Sequence, residues 1–345
     1  MTRNPYTITF GREPAQSIPR LEESETILQD FTDEIPSQQV YIVTGVRGCG
    51  KTVFMTEIAN RLKENPEWVV VEVNSQGDIL RDLASKLSSD SVLAKLFRSA
   101  KINLSFLGLG VEIQGTAPIT NMELAVSRML ESLKKKGKRV LVAIDEVTNS
   151  KQMQIFTSAY QIFIRQDLPI FLLMTGLFEN IDDLQNEKGL TFLYRAPKLR
   201  LKSLNLRRIA KNYEINLGVE EREAFEMAAQ TKGYAFAFQV LGYCTWKNQG
   251  DRAKTMDDVR QYLDEYVYDK IWSELSGEDQ KTLYGIATCP SGQVSEIREK
   301  IGMSTNTFST YRSRLMKKGL VESQRRGNVV LTLPAFDEYI CERMS

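Results

Sequence analysis

Four short apolar runs, separated by amphipathic stretches, outline the first two thirds of the chain. They are Val40 to Val43, WVVVEVN at 68–74, Val140 to Ile144 within RVLVAIDEV, and PIFLLMTG at 169–176. Runs of this length, rich in β-branched residues, suit strands buried on both faces of a parallel sheet. The segments between them repeat at helical spacing: TVFMTEIANRLKEN ending at Asn65-Pro66, DILRDLASKL at 78–87, SVLAKLFRSA at 91–100, Met122 to Lys135, and a helix with Met153, Phe156, Tyr160 and Phe163 on one face. Strand and helix alternating in this way predict an α/β fold around a parallel sheet. The period changes at KINLSFLGLGVEIQG, residues 101–115, where Ile102, Leu104 and Phe106 alternate, as do Val111 and Ile113. This predicts an inserted β-hairpin, either a protruding contact element or an edge hairpin that covers the sheet. Ahead of the first run, residues 1–39 are interrupted by Pro5, Pro14, Pro19 and Pro36, with a helix expected from Glu22 to Glu34. This segment is expected to lie across the sheet core.

Beyond residue 204 the pattern becomes helical. LRRIAKNYEINLG, EREAFEMAAQ and FAFQVLGYCTW are successive amphipathic helices, and MDDVRQYLDEYVYDKIWSEL at 256–275 reads as a longer one. Tyr262, Tyr266, Tyr268 and Trp272 on it are read as packing residues. From 276 to 345 the order is EDQKTLYGIAT, VSEIREKIG and STNTFSTYRSRLMKKG as three helices, the third capped by Ser304, then a strand at Gly319-Leu320-Val321, a turn at Arg325 to Asn328, and a return strand VVLTL. Three helices followed by a hairpin are the order of a winged helix. The resulting division is 1–204 as core, 205–275 as a helical segment and 276–345 as a winged helix.

Composition narrows the chemistry. The chain has 345 residues, 42% hydrophobic and 26% charged, as expected of a folded globular protein of two or three domains. A formal net charge of +1 exerts no global pull on nucleic acid, so any basic surface is local. The sequence contains no histidine, which excludes His-based zinc sites and Ser-His-Asp or Cys-His catalysis. Catalysis would rest on carboxylates, Lys, Arg and hydroxyls. Cys49, Cys244, Cys289 and Cys341 are scattered without a C-x-x-C pair, the apolar runs are too short to span a bilayer, and MTRNPYT is no signal peptide; a cytoplasmic protein without membrane contact is expected.

Two stretches carry candidate chemistry. VYIVTGVRGCGKTV, from Val40 to Val53, fills every fixed position of G-x-x-x-x-G-K-[ST] with Gly45, Gly50, Lys51 and Thr52. Glycines let the backbone curl so that successive N–H groups point inward at phosphates, at the positive end of the following helix. Gly45, Val46, Arg47, Gly48, Cys49, Gly50, Lys51, Thr52 and Val53 are therefore the expected phosphate-binding set, with Thr52 also offering its hydroxyl to Mg2+. The setting, strand before and helix after, is the one the motif requires. The second stretch ends the third apolar run in Asp145-Glu146, two carboxylates at the carboxyl end of a buried parallel strand, where ligands bind in open α/β sheets. Asp145 is placed to hold Mg2+ through water and Glu146 to orient or deprotonate the attacking water. Thr175 ends the fourth run and either holds that water or the γ-phosphate, or merely finishes its strand. Arg195, just before KLRLK, either stabilises transition-state charge on a neighbouring subunit's nucleotide or is a surface arginine. Cys49, beside a helix N-terminus and Lys51, is read as an inert small residue in preference to a reactive thiol.

Basic charge concentrates near the C-terminus. Between Ser291 and Gly327, Arg298, Lys300, Arg312, Arg314, Lys317, Lys318, Arg325 and Arg326 stand against Glu296, Glu299 and Glu322. A double-stranded DNA partner would be read by the third helix through Asn306, Thr307 and Thr310, with Arg312, Arg314, Lys317, Lys318, Arg325 and Arg326 contributing charge. The alternative is a protein-docking module.

The succession GVRGCGKT, VLVAIDE, LLMTG, an arginine before a further strand, a helical segment and a winged helix resembles the AAA+ superfamily, and more narrowly its origin-recognition-like and STAND-type branches. NPYTITFGREP resembles the adenine-side opening segment of those proteins. The resemblance implies an ATP-binding, Mg2+-dependent ATPase in which Gly45 to Thr52 bind triphosphate, Asp145 and Glu146 form the Walker B pair, Thr175 stands at sensor 1 and Arg195 at the arginine-finger position of a homo-oligomer. The helices of 205–275 then form a lid. Alternatively the chain is a STAND-like nucleotide switch that docks a protein partner. The sequence departs from the family at Pro19-Arg20, where Gly-Arg is usual, and at Ala235 in TKGYAFAFQVLGY, where a proline completes the Gly-x-Pro signature; no arginine occupies the sensor 2 position.

Overall fold

The computed structural model describes residues 3–9, 14–105, 108 and 118–345. Most of the hairpin expected at 101–115, and residues 10–13 of the opening segment, lie outside the described residues. Contacts divide the chain into two units, Leu21–Thr44 with Phe54–Arg200, and Met1–Arg20 with Gly45–Val53 and Leu201–Ser345.

The first unit is built on a parallel sheet. The four apolar runs are strands β1 (Val40–Thr44), β2 (Trp68–Val73), β3 (Arg139–Ile144) and β4 (Ile170–Gly176), joined by the short β5 (Lys198–Arg200). Their order is β2-β3-β4-β1-β5. Every residue of β4, and of β3 from Val140 onward, is buried, which explains why these runs lack polar alternation. Side chains alternate across the sheet. Ile42, Val71, Val142, Ile144, Leu172 and Met174 pack in one core with α3 (Ile79–Ser89), α4 (Ser91–Ser99), α5 (Met122–Lys134) and α6 (Lys151–Arg165). Phe171 turns instead to Trp68 and to Phe31 of α1 (Leu21–Thr32). Arg139 fixes that helix by donating to the carbonyls of Phe31 at 2.7 Å and Asp33 at 2.9 Å. The remaining helices of this region are α2 (Lys51–Lys63) and α7 (Phe178–Gln185).

The second unit is mainly helical: α8 (Leu206–Leu217), α9 (Glu221–Gln230), α10 (Ala235–Lys247), α11 (Arg252–Leu263), α12 (Asp269–Ser273), α13 (Gly277–Ala287), α14 (Val294–Ile301) and α15 (Thr305–Lys318) precede an antiparallel pair, β6 (Val321–Glu322) and β7 (Val330–Leu331), and α16 (Phe336–Met344). One continuous core runs from Tyr6 and Ile209 through Phe238 and Tyr268 to Phe336 and Ile340.

Three features differ from expectation. Residues 1–39 are divided between the two units at Arg20 and Leu21. Among the described residues, α1 packs on the sheet, while Asn4, Tyr6 and Thr7 are strapped to α8 and α10, through Asn4 Nδ2 to the Tyr243 carbonyl, the Tyr6 hydroxyl to Asn212 Oδ1 and the Thr7 amide to Gln239 Oε1. The long helix expected at 256–275 contains one π turn, Asp264–Tyr268, between α11 and α12. Finally, α16 closes the chain, its Phe336 and Tyr339 rings packed on Tyr268.

Candidate functional site

The glycine-rich loop follows directly from β1, whose carboxyl end shares a row of strand ends with β3 and β4. It falls in the second unit, together with the helices that hold it. Lys51, the first residue of α2, donates from Nζ to the carbonyls of Gly45 at 2.9 Å and Val46 at 3.1 Å. The Tyr234 hydroxyl donates to the Arg47 carbonyl at 2.6 Å. The Phe236 amide, in the first turn of α10, donates to the Gly48 carbonyl at 3.1 Å. Arg20 donates to the Cys49 carbonyl at 3.2 Å and to that of Lys202 at 2.5 Å. Each carbonyl from Gly45 to Cys49 thus accepts a bond. Gly48 has φ of +75°, and a Cβ there would collide with the Tyr234 hydroxyl, so glycine is required on both counts. Arg47 pairs with Glu274 Oε1 at 3.1 Å, an oxygen shared with Lys270. Cys49 is buried with its thiol turned toward Gly45, which suits an inert small residue. Thr52 is exposed and Val53 half-buried on the first turn of α2.

The acidic strand end lies in the first unit. Parallel register pairs Ile144 with Met174, so Asp145 and Thr175 are delivered side by side as their strands end. The buried Thr175 hydroxyl donates to Asp145 Oδ1. The Glu146 amide is directed at Asp145 Oδ1 at 2.9 Å and Thr175 Oγ1 at 3.4 Å, and the Val147 amide donates to the Thr175 carbonyl at 2.8 Å. These bonds hold Glu146 at φ +51°, a strained conformation for a residue with a side chain. Its carboxylate is exposed, while Asp145 is half-buried. Such an arrangement can present one carboxylate to a cation and the other to a water. A carboxylate at this strand end is an oxygen donor of the kind that fits magnesium, which keeps waters and phosphate oxygens as its other ligands. Arg195 is exposed at the end of a 3₁₀ turn, Thr191–Arg195, just before β5.

In the C-terminal region, Ser304 caps α15 as expected, accepting from the Thr307 amide at 3.2 Å. Asn306, Thr307 and Thr310 are exposed on α15, and Arg325 and Arg326 are exposed in the turn between β6 and β7. Lys317 is also exposed, Lys318 half-buried. Arg312 is partly buried, with its Nε shielded and unbonded. Arg314, expected to contribute charge to a DNA face, is committed internally: Nε donates to Asp279 Oδ1 at 2.8 Å and Nη2 to Ser276 Oγ at 2.7 Å. Ser276 and Asp279 form the capping box of α13, so Arg314 braces the third helix of this region against the first.

No helix among the described residues is long and apolar enough to cross a membrane. Residues 25–192 match the family described as an ATPase domain predominantly from Archaea, and residues 265–340 match a domain family of unknown function, DUF8462. No protein of curated function matches significantly. Among solved structures, a Walker-type ATPase of Pyrococcus abyssi is similar at 17% identity and a TM-score of 0.66, covering 94% of this chain and 96% of that one. The ORC2 protein of Aeropyrum pernix, in ADPNP-ADP complexes, is similar at 16% identity and a TM-score of 0.60, with 97% of both chains covered. Its ADP form gives a TM-score of 0.52 at 16% identity, over 97% of this chain and 96% of that one. Identities this low speak for the fold. Together with the domain match they place an archaeal-type ATPase domain at residues 25–192, in a chain whose fold is that of these solved structures.

Proposed function

We propose that the chain binds ATP on the Gly45–Val53 loop and hydrolyses it, and that the nucleotide state is passed to a C-terminal winged helix that contacts double-stranded DNA. The division into core, lid and winged helix at 1–204, 205–275 and 276–345 belongs to this reading. The observation that carries it is the strand end at 145–147, where Asp145 and Thr175 together fix a strained Glu146 whose carboxylate stays exposed. Loop N–H groups and Lys51 bind the phosphates. Asp145 and the Thr52 hydroxyl would hold magnesium, which when bound neutralises phosphate charge. Glu146 orients the attacking water and accepts its proton, with Thr175 keeping the neighbouring carboxylate in place. Arg195, exposed before β5, would act on the nucleotide of a second copy in a homo-oligomer. At the DNA face, Asn306, Thr307, Thr310, Arg325 and Arg326 are the stronger candidates, since Arg314 is engaged with Asp279 and Ser276.

A second reading, a STAND-like switch that docks a protein, is favoured by one observation: Arg47 in the phosphate loop is paired with Glu274, two residues before the cap of α13, a short path from nucleotide to C-terminal region without any need of turnover. The test is ATP hydrolysis with and without double-stranded DNA, in wild type, Glu146→Gln and Lys51→Ala. The DNA-linked ATPase requires that DNA stimulate turnover, that Glu146→Gln retain bound ATP with turnover about 10²- to 10⁴-fold lower, and that Lys51→Ala fail to bind. Binding without turnover or DNA response leaves the switch.

A further inference from the structure

The five loop carbonyls are not held equally. Those of Gly45 and Val46 are engaged by Lys51, the group that phosphate binding draws to itself. Those of Gly48 and Cys49 are held by the Phe236 amide and by Arg20. Between them, the Arg47 carbonyl accepts from Tyr234, whose side chain is buried and whose tip occupies the space that a Cβ on Gly48 would need. A curled phosphate loop points its amides inward only while the carbonyls between them point outward. A hydroxyl fixed behind one of those carbonyls therefore holds the loop in its binding conformation before any phosphate arrives.

We propose that Tyr234 is a positioning residue for phosphate binding: its hydroxyl, held in the helical region more than 180 positions downstream, pins the Arg47 carbonyl and so keeps the loop amides directed at the phosphates of a nucleoside di- or triphosphate. This rests on the reading of Gly45–Val53 as the phosphate site. Burial pushes the Tyr234 phenol well above the usual tyrosine range, so the hydroxyl keeps its proton and remains a donor at any physiological pH. Without it, the carbonyl of the free loop turns to water and recovers a bond. Binding must then return that carbonyl to an unpartnered position, and affinity falls by the population lost from the competent state.

Tyr234→Phe tests this, because it deletes one oxygen and keeps the ring. The full chain is titrated with MgADP by calorimetry in wild type, Tyr234→Phe and Lys51→Ala, alongside the melting temperature of each nucleotide-free protein and amide hydrogen exchange over residues 46–50. The expected result is a Kd about tenfold weaker for Tyr234→Phe, with faster loop exchange and a melting temperature close to that of wild type. A lower melting temperature with Kd within twofold of wild type overturns the proposal, because the tyrosine would then only pack. If wild type fails to bind MgADP, or Lys51→Ala binds it as wild type does, the phosphate-site reading itself falls, whatever Tyr234→Phe shows.

Discussion

On the proposed reading, the phosphate loop and the acidic strand end do different work with different materials. In the loop the functional groups are backbone amides, so the side chains that matter are those that hold the main chain from behind, and they come from far away in sequence: Arg20 and Tyr234. At the strand end the functional groups are themselves side chains, and parallel register between β3 and β4 brings Asp145 beside Thr175 without outside help. A site made of backbone depends on shape at every residue. A site made of side chains depends on a few polar atoms and tolerates change around them.

The contrast can be broken at either end. The largest effect is expected from Glu146→Gln, which removes a proton acceptor while leaving shape intact: turnover falls about 10²- to 10⁴-fold and nucleotide affinity stays near wild type. Gly48→Ala does the reverse, adding one carbon at φ +75° where the Tyr234 hydroxyl already sits. Nucleotide affinity should fall about 100-fold, roughly 3 kcal/mol, by calorimetry; wild-type affinity in this variant would mean the loop does not depend on its outward carbonyls. Thr175→Val, nearly isosteric, removes the hydroxyl that donates to Asp145. A hydrogen bond to a charged acceptor is worth about 1.5–3 kcal/mol, so chemical denaturation should show a loss of about 2 kcal/mol, with nucleotide affinity changed little.

The smallest effect concerns a carboxylate placed by neither device. Asp264, in the π turn, is pushed from 3.8 up to about 6, first by burial and then by Glu342, with Asp269 adding to the shift and Arg260 and Arg343 opposing it. The folded chain holds this proton more tightly than the unfolded one. The favourable contribution is therefore complete below pH 3.8 and is lost as pH rises to about 6. Because the group is partly solvated, Asp264→Asn should stabilise the protein at pH 8 by only on the order of 1 kcal/mol, and by less at pH 5. Equal melting-temperature gains at both pH values would remove titration as the cause.

Much of this was legible in the sequence, for reasons the two regions share out unevenly. Strands β3 and β4 announced themselves because both faces are buried, whereas β2, expected to be buried in the same way, is an edge strand with Glu72 exposed; register then needed only the run ends at Ile144 and Thr175. The loop was legible through Gly45, Gly50, Lys51 and Thr52, but not its supports. Tyr234 lies in a helical stretch where an aromatic residue reads as core, and Arg20 follows a proline in an irregular segment; nothing local links either to a carbonyl at residue 47 or 49. The same limit hid the strap before Leu21, whose partners Asn212, Gln239 and Tyr243 are more than 200 positions away from it. The π turn was hidden differently: a single i→i+5 turn inside an α-helix has no residue type of its own to mark it.

The Ser276–Asp279–Arg314 brace has a practical consequence for anyone mapping the C-terminal surface. Arg314 sits in sequence among residues that a charge scan would replace together, yet its guanidinium satisfies a carboxylate, Asp279, whose side chain is only 3% exposed. Substituting it would strand that acid and loosen α15 from α13, so a lost signal at this position would report a shifted helix in place of a missing contact. Arg325 and Arg326, exposed in the turn between β6 and β7, are the cleaner probes.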